Sequence, residues 1–169
     1  PHDMVIKHLL DSLSIAPWVK GPRVLDIGTG GGLPGIPLAI LFPDIEFTLL
    51  DSNGKKTRFL QQVKAELSLP NVTVVHARVE EFLPEMAFPQ IVSRAFSALD
   101  LFVNLASPKL ADNGELLAMK GQLPAEEVIE LQEKVEGMQL DVIPLAVPML
   151  AEARHLILIT LPSKNQPKN

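Results

Sequence analysis

The chain has 169 residues, 47% of them hydrophobic, and its 15 Lys plus Arg against 20 Asp plus Glu give a formal net charge of −5. A chain of ~150 residues can bury about 68–70% of its unfolded surface, so one domain is expected, and a charged fraction of 21% excludes an intrinsically disordered chain. The absence of cysteine excludes disulfides, thiolate metal sites and cysteine nucleophiles and fits a reducing, cytoplasmic setting, while the acidic balance argues against wrapping duplex DNA. No membrane span is expected, because the longest uncharged run, residues 27–43, holds five Gly and three Pro, whereas a spanning helix needs ~20 mostly apolar residues.

In chain order, short β-rich runs alternate with helical periodicity, which predicts an α/β domain with a mainly parallel sheet. Residues 4–13 read as a helix whose Val5, Ile6, Leu9, Leu10 and Leu13 form an apolar side, and this helix is a candidate cover for a ligand pocket. A first strand over Arg23–Ile27 runs into a glycine loop and a short helix to about Phe42. Residues 46–50 form the second strand, and Asn53-Gly54 opens a helix with Phe59, Leu60, Val63 and Leu67 as its apolar stripe. Strands follow at Val72–His76 and 90–93, a helix at Leu99–Ala106, and a fifth strand at 115–119 after an Asn113-Gly114 turn. A charged helix over 125–135 leads to two late runs, 139–146 and 155–161, that read as a closing antiparallel hairpin. Residues 1–162 thus read as one domain and 163–169 as a frayed polar tail.

The glycine loop carries most of the functional information. Val24-Leu25-Asp26-Ile27-Gly28-Thr29-Gly30-Gly31-Gly32-Leu33-Pro34-Gly35 lies at the carboxyl edge of the first strand, where open α/β sheets bind ligands. A phosphate-binding P-loop is excluded, because no Gly-Lys-Ser/Thr follows. A dinucleotide fingerprint fits poorly: it starts beyond the strand end, and Pro34 and Pro37 remove backbone donors where a pyrophosphate would sit. The register Asp26-Ile27-Gly28-Thr29-Gly30-Gly31-Gly32 suits a nucleoside carrying an amino-acid tail, with Asp26 meeting its ammonium directly or through water. Asp51, at the end of the second strand, can accept hydrogen bonds from both ribose hydroxyls; the competing reading of Asp51-Ser52-Asn53 is helix capping. By itself this pattern serves a methyl donor or NAD alike.

Leu25-Asp26-Ile27-Gly28-Thr29-Gly30, Gly32-Leu33-Pro34-Gly35-Ile36-Pro37, Leu50-Asp51-Ser52, Arg78-Val79-Glu80-Glu81-Phe82, Val92-Ser93-Arg94-Ala95-Phe96, Ala118-Met119-Lys120-Gly121-Gln122 and Arg154-His155-Leu156 occur in this order. Together they resemble the glucose-inhibited division protein B family, the ribosomal small-subunit methyltransferase G enzymes. The resemblance implies a class I S-adenosylmethionine-dependent methyltransferase fold with a seven-stranded sheet. It implies methylation of a guanine N7 in 16S ribosomal RNA near the decoding site, on that RNA or on the small subunit. It also implies a helical extension ahead of the segment equivalent to residues 2–12, which this sequence lacks.

Carried over by position, Gly28 and Leu33 become donor contacts, Asp51 with Ser52 the ribose end, Val79 and Glu80 the adenine edge, and Arg94 a donor-site residue. Thr29, Gly30 and Gly32 complete the cradle. From its place at the end of the fourth strand, Arg94 can clamp a carboxylate, with a structural ion pair to a nearby acid as the alternative. Arg94 and Lys120 are the candidates for positioning the reaction, and no general base is expected. Lys55, Lys56 and Arg58, with Lys120 and Arg154, are the candidate RNA contacts. No His/Asp/Glu spacing suggests a metal site. The competing functions are methyl transfer to another acceptor, a non-catalytic donor-binding assembly factor and, more distantly, an NAD-dependent oxidoreductase.

Overall fold

A computed structural model describes residues 2–122 and 125–164. Seven strands alternate with five helices: α1 (His2–Leu13), β1 (Arg23–Ile27), α2 (Gly35–Leu41), β2 (Glu46–Asp51), α3 (Gly54–Leu67), β3 (Val72–His76), β4 (Phe88–Ser93), α4 (Leu99–Ala106), β5 (Leu110–Lys120), α5 (Ala125–Lys134), β6 (Gln139–Leu145) and β7 (Arg154–Thr160). The strands form one sheet in the order β3-β2-β1-β4-β5-β7-β6. β3, β2, β1, β4 and β5 run parallel, and the β6–β7 hairpin closes the sheet antiparallel against β5.

Alternation along β1 shows why both faces are covered. Leu25 and Ile27 enter one core with Ile91, Leu116 and Phe102 of α4. Val24 enters the other with Leu38 of α2, Phe47, Leu49, Leu60 of α3 and Val92. A strand buried on both sides reads as the near-continuous apolar run seen here. β1 lies between β2 and β4, so the chain order reverses at its carboxyl end and a crevice opens there.

Three local readings need correction. Val5, Ile6 and Leu9 of α1 face outward, with Val5 58% exposed, while Asp11 and Ser12 are buried and Leu13 packs partly against the core. On α3 the buried stripe is rotated toward Thr57 and Leu60, leaving Phe59 and Leu67 half exposed. The Asn113-Gly114 turn is an irregularity inside a longer strand. Leu110 pairs with Phe88 and Glu115 with Gln90, so the register shifts between them, and Asn113 takes the left-handed φ of 62°, which Asn tolerates better than most residues. Lys164 in the expected tail is tied down, its Nζ donating to Leu110 O at 3.2 Å; residues 165–169 of that tail lie outside the described residues.

Candidate donor cleft and its basic flank

At the switch point the carboxyl ends of β1, β2 and β3 frame a cleft of about 320 Å³. Ile27 and Gly28 line it from β1, Leu50 to Ser52 from β2 and Ala77 to Glu80 from the segment after β3; Phe96, Leu101 and Leu105 close the far side. The lining is mixed: Ile27, Leu50, Val79, Phe96, Leu101 and Leu105 are apolar, and Asp51, Ser52, Arg78 and Glu80 are polar or charged. Such a mix suits a flat aromatic base bearing a polar sugar.

The glycine loop is braced from below. Asp26 is fully buried, and its Oδ2 accepts from Thr29 Oγ1 at 2.8 Å and from the Gly35 amide at 3.0 Å, joining the two ends of the loop. Oδ1 has no partner among the described residues. Desolvation pushes the carboxyl up to about 8, against the opposing effects of the Thr29 and Gly35 bonds and of the Arg94 charge, so the group is largely neutral at pH 7. The direct ammonium contact expected of Asp26 does not fit this geometry: the carboxyl lies on the α2–α3 side of the sheet and does not line the cleft.

The other loop residues divide similarly. Gly28 lines the cleft at φ 65°, its amide donating to Leu50 O at 2.9 Å. A Cβ there would come within 2.8 Å of Ala95, so glycine lets the β4–α4 segment close over the loop. Thr29 is buried on Asp26. Gly32 is a packing position, since a Cβ would press on Ile36 and Leu60. Gly30, Gly32 and Leu33 lie outside the cleft lining.

Asp51 joins three parts of the site. Its Oδ2 accepts from the Gly30 amide and its Oδ1 from the Asn53 amide, both at 2.8 Å. A carboxylate offers about four acceptor sites, so two remain for ligand hydroxyls. The capping role left open for Asp51 belongs to its neighbour: Asn53 Oδ1 accepts from the Lys55 and Lys56 amides and starts α3.

The basic residues on the other half of the edge are paired within the protein. Asp11, 2% exposed, accepts from Arg154 Nε at 2.8 Å and from Arg154 Nη2, forming a fork–fork pair. Arg94 Nη1 reaches the same carboxylate at 3.3 Å, and Arg94 Nη2 contacts His8 Nδ1 at 3.2 Å. The bond to Asp11 holds the Arg154 guanidinium above its ordinary value. Lys120 Nζ donates to Phe96 O at 2.9 Å and Ser97 O at 2.6 Å and pairs with Glu127 at 3.7 Å, leaving its side chain 11% exposed.

Arg94, Lys120 and Arg154 therefore do not line the cleft as free cations. They pin α1, the β4–α4 segment and β7 together, as the structural alternative for Arg94 anticipates. Lys55, Lys56 and Arg58 stand exposed on the first turns of α3. A Cβ on Gly30 would lie 3.8 Å from Lys56 Nζ, so that ammonium borders the glycine loop.

Of the expected ligand residues, Gly28, Asp51, Ser52, Val79 and Glu80 meet around the cleft. Sequence reasoning missed its apolar wall of Phe96, Leu101 and Leu105, and it missed the hub role of Asp11. A lone acid at helical spacing beside Leu9, Leu10 and Leu13 is a faint signal for a buried pair.

A family model described as rRNA small subunit methyltransferase G (GidB) matches residues 1–157. A protein named ribosomal RNA small subunit methyltransferase G from Marinobacter nauticus is 53% identical over 158 residues, 92% of this chain and 72% of the relative. One of the same name from Pseudomonas aeruginosa is 54% identical over 162 residues, 94% of this chain and 74% of the relative. Among solved structures, the glycopeptide N-methyltransferase MtfA complexed with S-adenosyl-L-methionine superposes with a TM-score of 0.72 at 14% identity, over 92% of this chain and 94% of that one. The S-adenosyl-L-homocysteine complex of the same enzyme gives 0.76 at 13% identity, over 92% and 87%. These two likenesses establish the class I methyltransferase fold. By family match and by identity over nearly its whole length, the chain belongs to the rRNA small subunit methyltransferase G family.

Proposed function

We propose that this protein transfers the methyl group of S-adenosylmethionine to N7 of a guanine in 16S ribosomal RNA near the decoding site, acting in the cytoplasm on that RNA or on the small subunit. Family membership supports the reaction and the substrate class. The observation that carries the donor assignment is Asp51: a carboxylate on the cleft rim, fixed by the Gly30 and Asn53 amides, with acceptor capacity left for a ribose. Val79 and Glu80 lie where an adenine edge would be read, and Phe96, Leu101 and Leu105 form an apolar wall for the ring.

When bound, the donor supplies an electrophilic methyl on a sulfonium. The acceptor N7 has a lone pair and no proton, so no side chain need act as a base. The protein's contribution is alignment, which lowers barriers by ~7–11 kcal/mol in favourable cases. Lys120 holds the carbonyls of Phe96 and Ser97, and Arg94 starts the same segment, so both act by positioning the wall beside the donor. The usual Arg fork on guanine engages O6 and N7 together; here N7 must stay free, so a side chain reading the base is limited to O6. Lys55, Lys56 and Arg58 are proposed phosphate contacts, joined by the exposed edge of Arg154. The base must leave its stack to reach the cleft.

The test is transfer of labelled methyl from S-adenosylmethionine to small ribosomal subunits and to 16S RNA, followed by nucleoside mass spectrometry. Label recovered as 7-methylguanosine is expected. Label on another nucleoside or on protein, or no transfer despite donor binding, would contradict the proposal.

A further inference from the structure

A second hollow, of about 370 Å³, lies between α1 and the segment 146–153 that joins β6 to β7. Lys120 pairs with His155, so this segment stands at the carboxyl end of β5, on the edge where the donor cleft also opens. Met4 and Leu150 give the hollow apolar sides, and Lys7, His8 and Glu152 give it polar ones. Asp11 and Arg154 line it too, and Asp11 bonds Arg94, which directly precedes Ala95, the residue packed against Gly28 of the cleft. The hollow is therefore a neighbour of the cleft.

Two polar groups in it are uncommitted. Arg94 Nη2 meets His8 Nδ1 at 3.2 Å. A guanidinium only donates, so Nδ1 accepts, and the proton of the neutral imidazole sits on Nε2 as a spare donor. Glu152 is exposed and forms no hydrogen bond or ion pair among the described residues, its charge acting on nearby Arg154. Lys7 and Arg154 are balanced by Asp11 and Glu152, so the hollow lacks the positive excess that attracts a phosphate. Apolar sides with a few convergent polar groups suit a flat ring.

We infer that this hollow takes the acceptor base, and that Glu152 and His8 read it as guanine. The carboxylate accepts from N1–H and the 2-amino group, His8 Nε2–H donates to O6, and Met4 and Leu150 flank the ring. Guanine is the one RNA base that offers a carboxylate two adjacent donors beside an acceptor; adenine and cytosine place a ring acceptor there, and uracil a single donor. The limit to O6 applies to the edge that carries N7. Recognition here uses the opposite edge, and N7 stays free for the methyl group. The bland alternative is a solvated gap between α1 and the loop, in which Glu152 only tempers the charge of Arg154.

The inference rests on the guanine-N7 transfer proposed above, and one set of substrates separates the two. Small subunits are reconstituted with the methylated guanine kept or replaced by inosine, which lacks the 2-amino group and retains N1–H, O6 and N7. The wild type should prefer guanine on the order of tenfold in kcat/KM, within the worth of a good bidentate pair. Glu152→Ala should cut transfer to guanine by roughly ten- to a hundredfold and erase that preference, with S-adenosylhomocysteine affinity unchanged by calorimetry. His8→Phe should lower transfer to both substrates and preserve the preference, and His8→Gln, which keeps a donor for O6, should recover most of the loss. No guanine preference in the wild type, unchanged transfer in Glu152→Ala or His8→Phe, or equal losses on both substrates in Glu152→Ala would overturn the inference. Weakened S-adenosylhomocysteine binding in Glu152→Ala would also overturn it, by giving that residue to the donor. A wild type that binds the donor yet methylates no guanine in native subunits would instead remove the proposed function itself.

Discussion

The two halves of the sheet's carboxyl edge are built differently. Around β1, β2 and β3 the cleft is open, and its polar groups are fixed chiefly by backbone amides: Asp51 by Gly30 and Asn53, and the glycine loop by Asp26. Around β4, β5 and β7 stand three cations, and each is engaged by a partner within the protein: Arg94 and Arg154 by Asp11, Lys120 by two carbonyls and Glu127. The first half is an open cleft with acceptors left unused on its edge. The second is a clamp that ties α1, the β4–α4 segment and β7 together.

The largest effect expected from breaking this contrast is on the clamp. Asp11→Ala strands two partly buried guanidiniums and should cost about 3–4 kcal/mol of folding stability, in the range for breaking a buried pair. Denaturant unfolding checks it, and a loss below about 1 kcal/mol, the worth of a surface pair, would mean the clamp is ornamental. On the donor side, Asp51→Ala should weaken S-adenosylhomocysteine binding by about 2–3 kcal/mol, the worth of hydrogen bonds to a charged group, read by calorimetry; unaltered affinity would remove the ribose role.

Lys120→Met sharpens the contrast further. It releases the Phe96 and Ser97 carbonyls, so the wall beside the donor loosens: donor affinity should fall, and turnover should fall on the order of tenfold or more through misalignment. Steady-state kinetics on small subunits decide this, and a variant that keeps turnover would reverse the assignment.

A pH dependence reads the buried carboxyl under the glycine loop. Asp26 has its folded value raised from 3.8 to about 8, so the folded state binds the extra proton; its contribution is fully present below about pH 4 and is lost as pH rises toward and through about 8. Asp26→Asn carries no such proton. The melting temperature of the wild type minus that of the variant should therefore fall as pH rises from about 5 to about 8 and then level off. A flat difference would show that the buried carboxyl is ionised throughout.

Much of this architecture was legible in the sequence. β1, β3 and α4 fall where apolar periodicity places them, and Asn53-Gly54 opens α3 because Asn53 caps it. Gly28, Asp51, Ser52, Val79 and Glu80 lie at strand ends, which the topology brings to one place. What the sequence hid were choices made by partners far along the chain. Asp11 is buried where it meets Arg94 and Arg154, the latter 143 positions away, and local periodicity contains no trace of that. Asp26 and Thr29 looked like ligand groups because residue type does not say which face of a strand a side chain takes, and here it is the core face. Lys120 and Arg154 looked free because their partners come from other elements, whereas a structural ion pair was already the alternative reading of Arg94.

The central claim is that the cleft at the ends of β1, β2 and β3 holds the adenosine of the methyl donor. A crystal structure with S-adenosylhomocysteine tests it most directly. The prediction is ribose hydroxyls on Asp51 and the adenine between Val79–Glu80 and the Phe96–Leu105 wall; the ligand bound elsewhere, or turned so that its ribose misses Asp51, would contradict it.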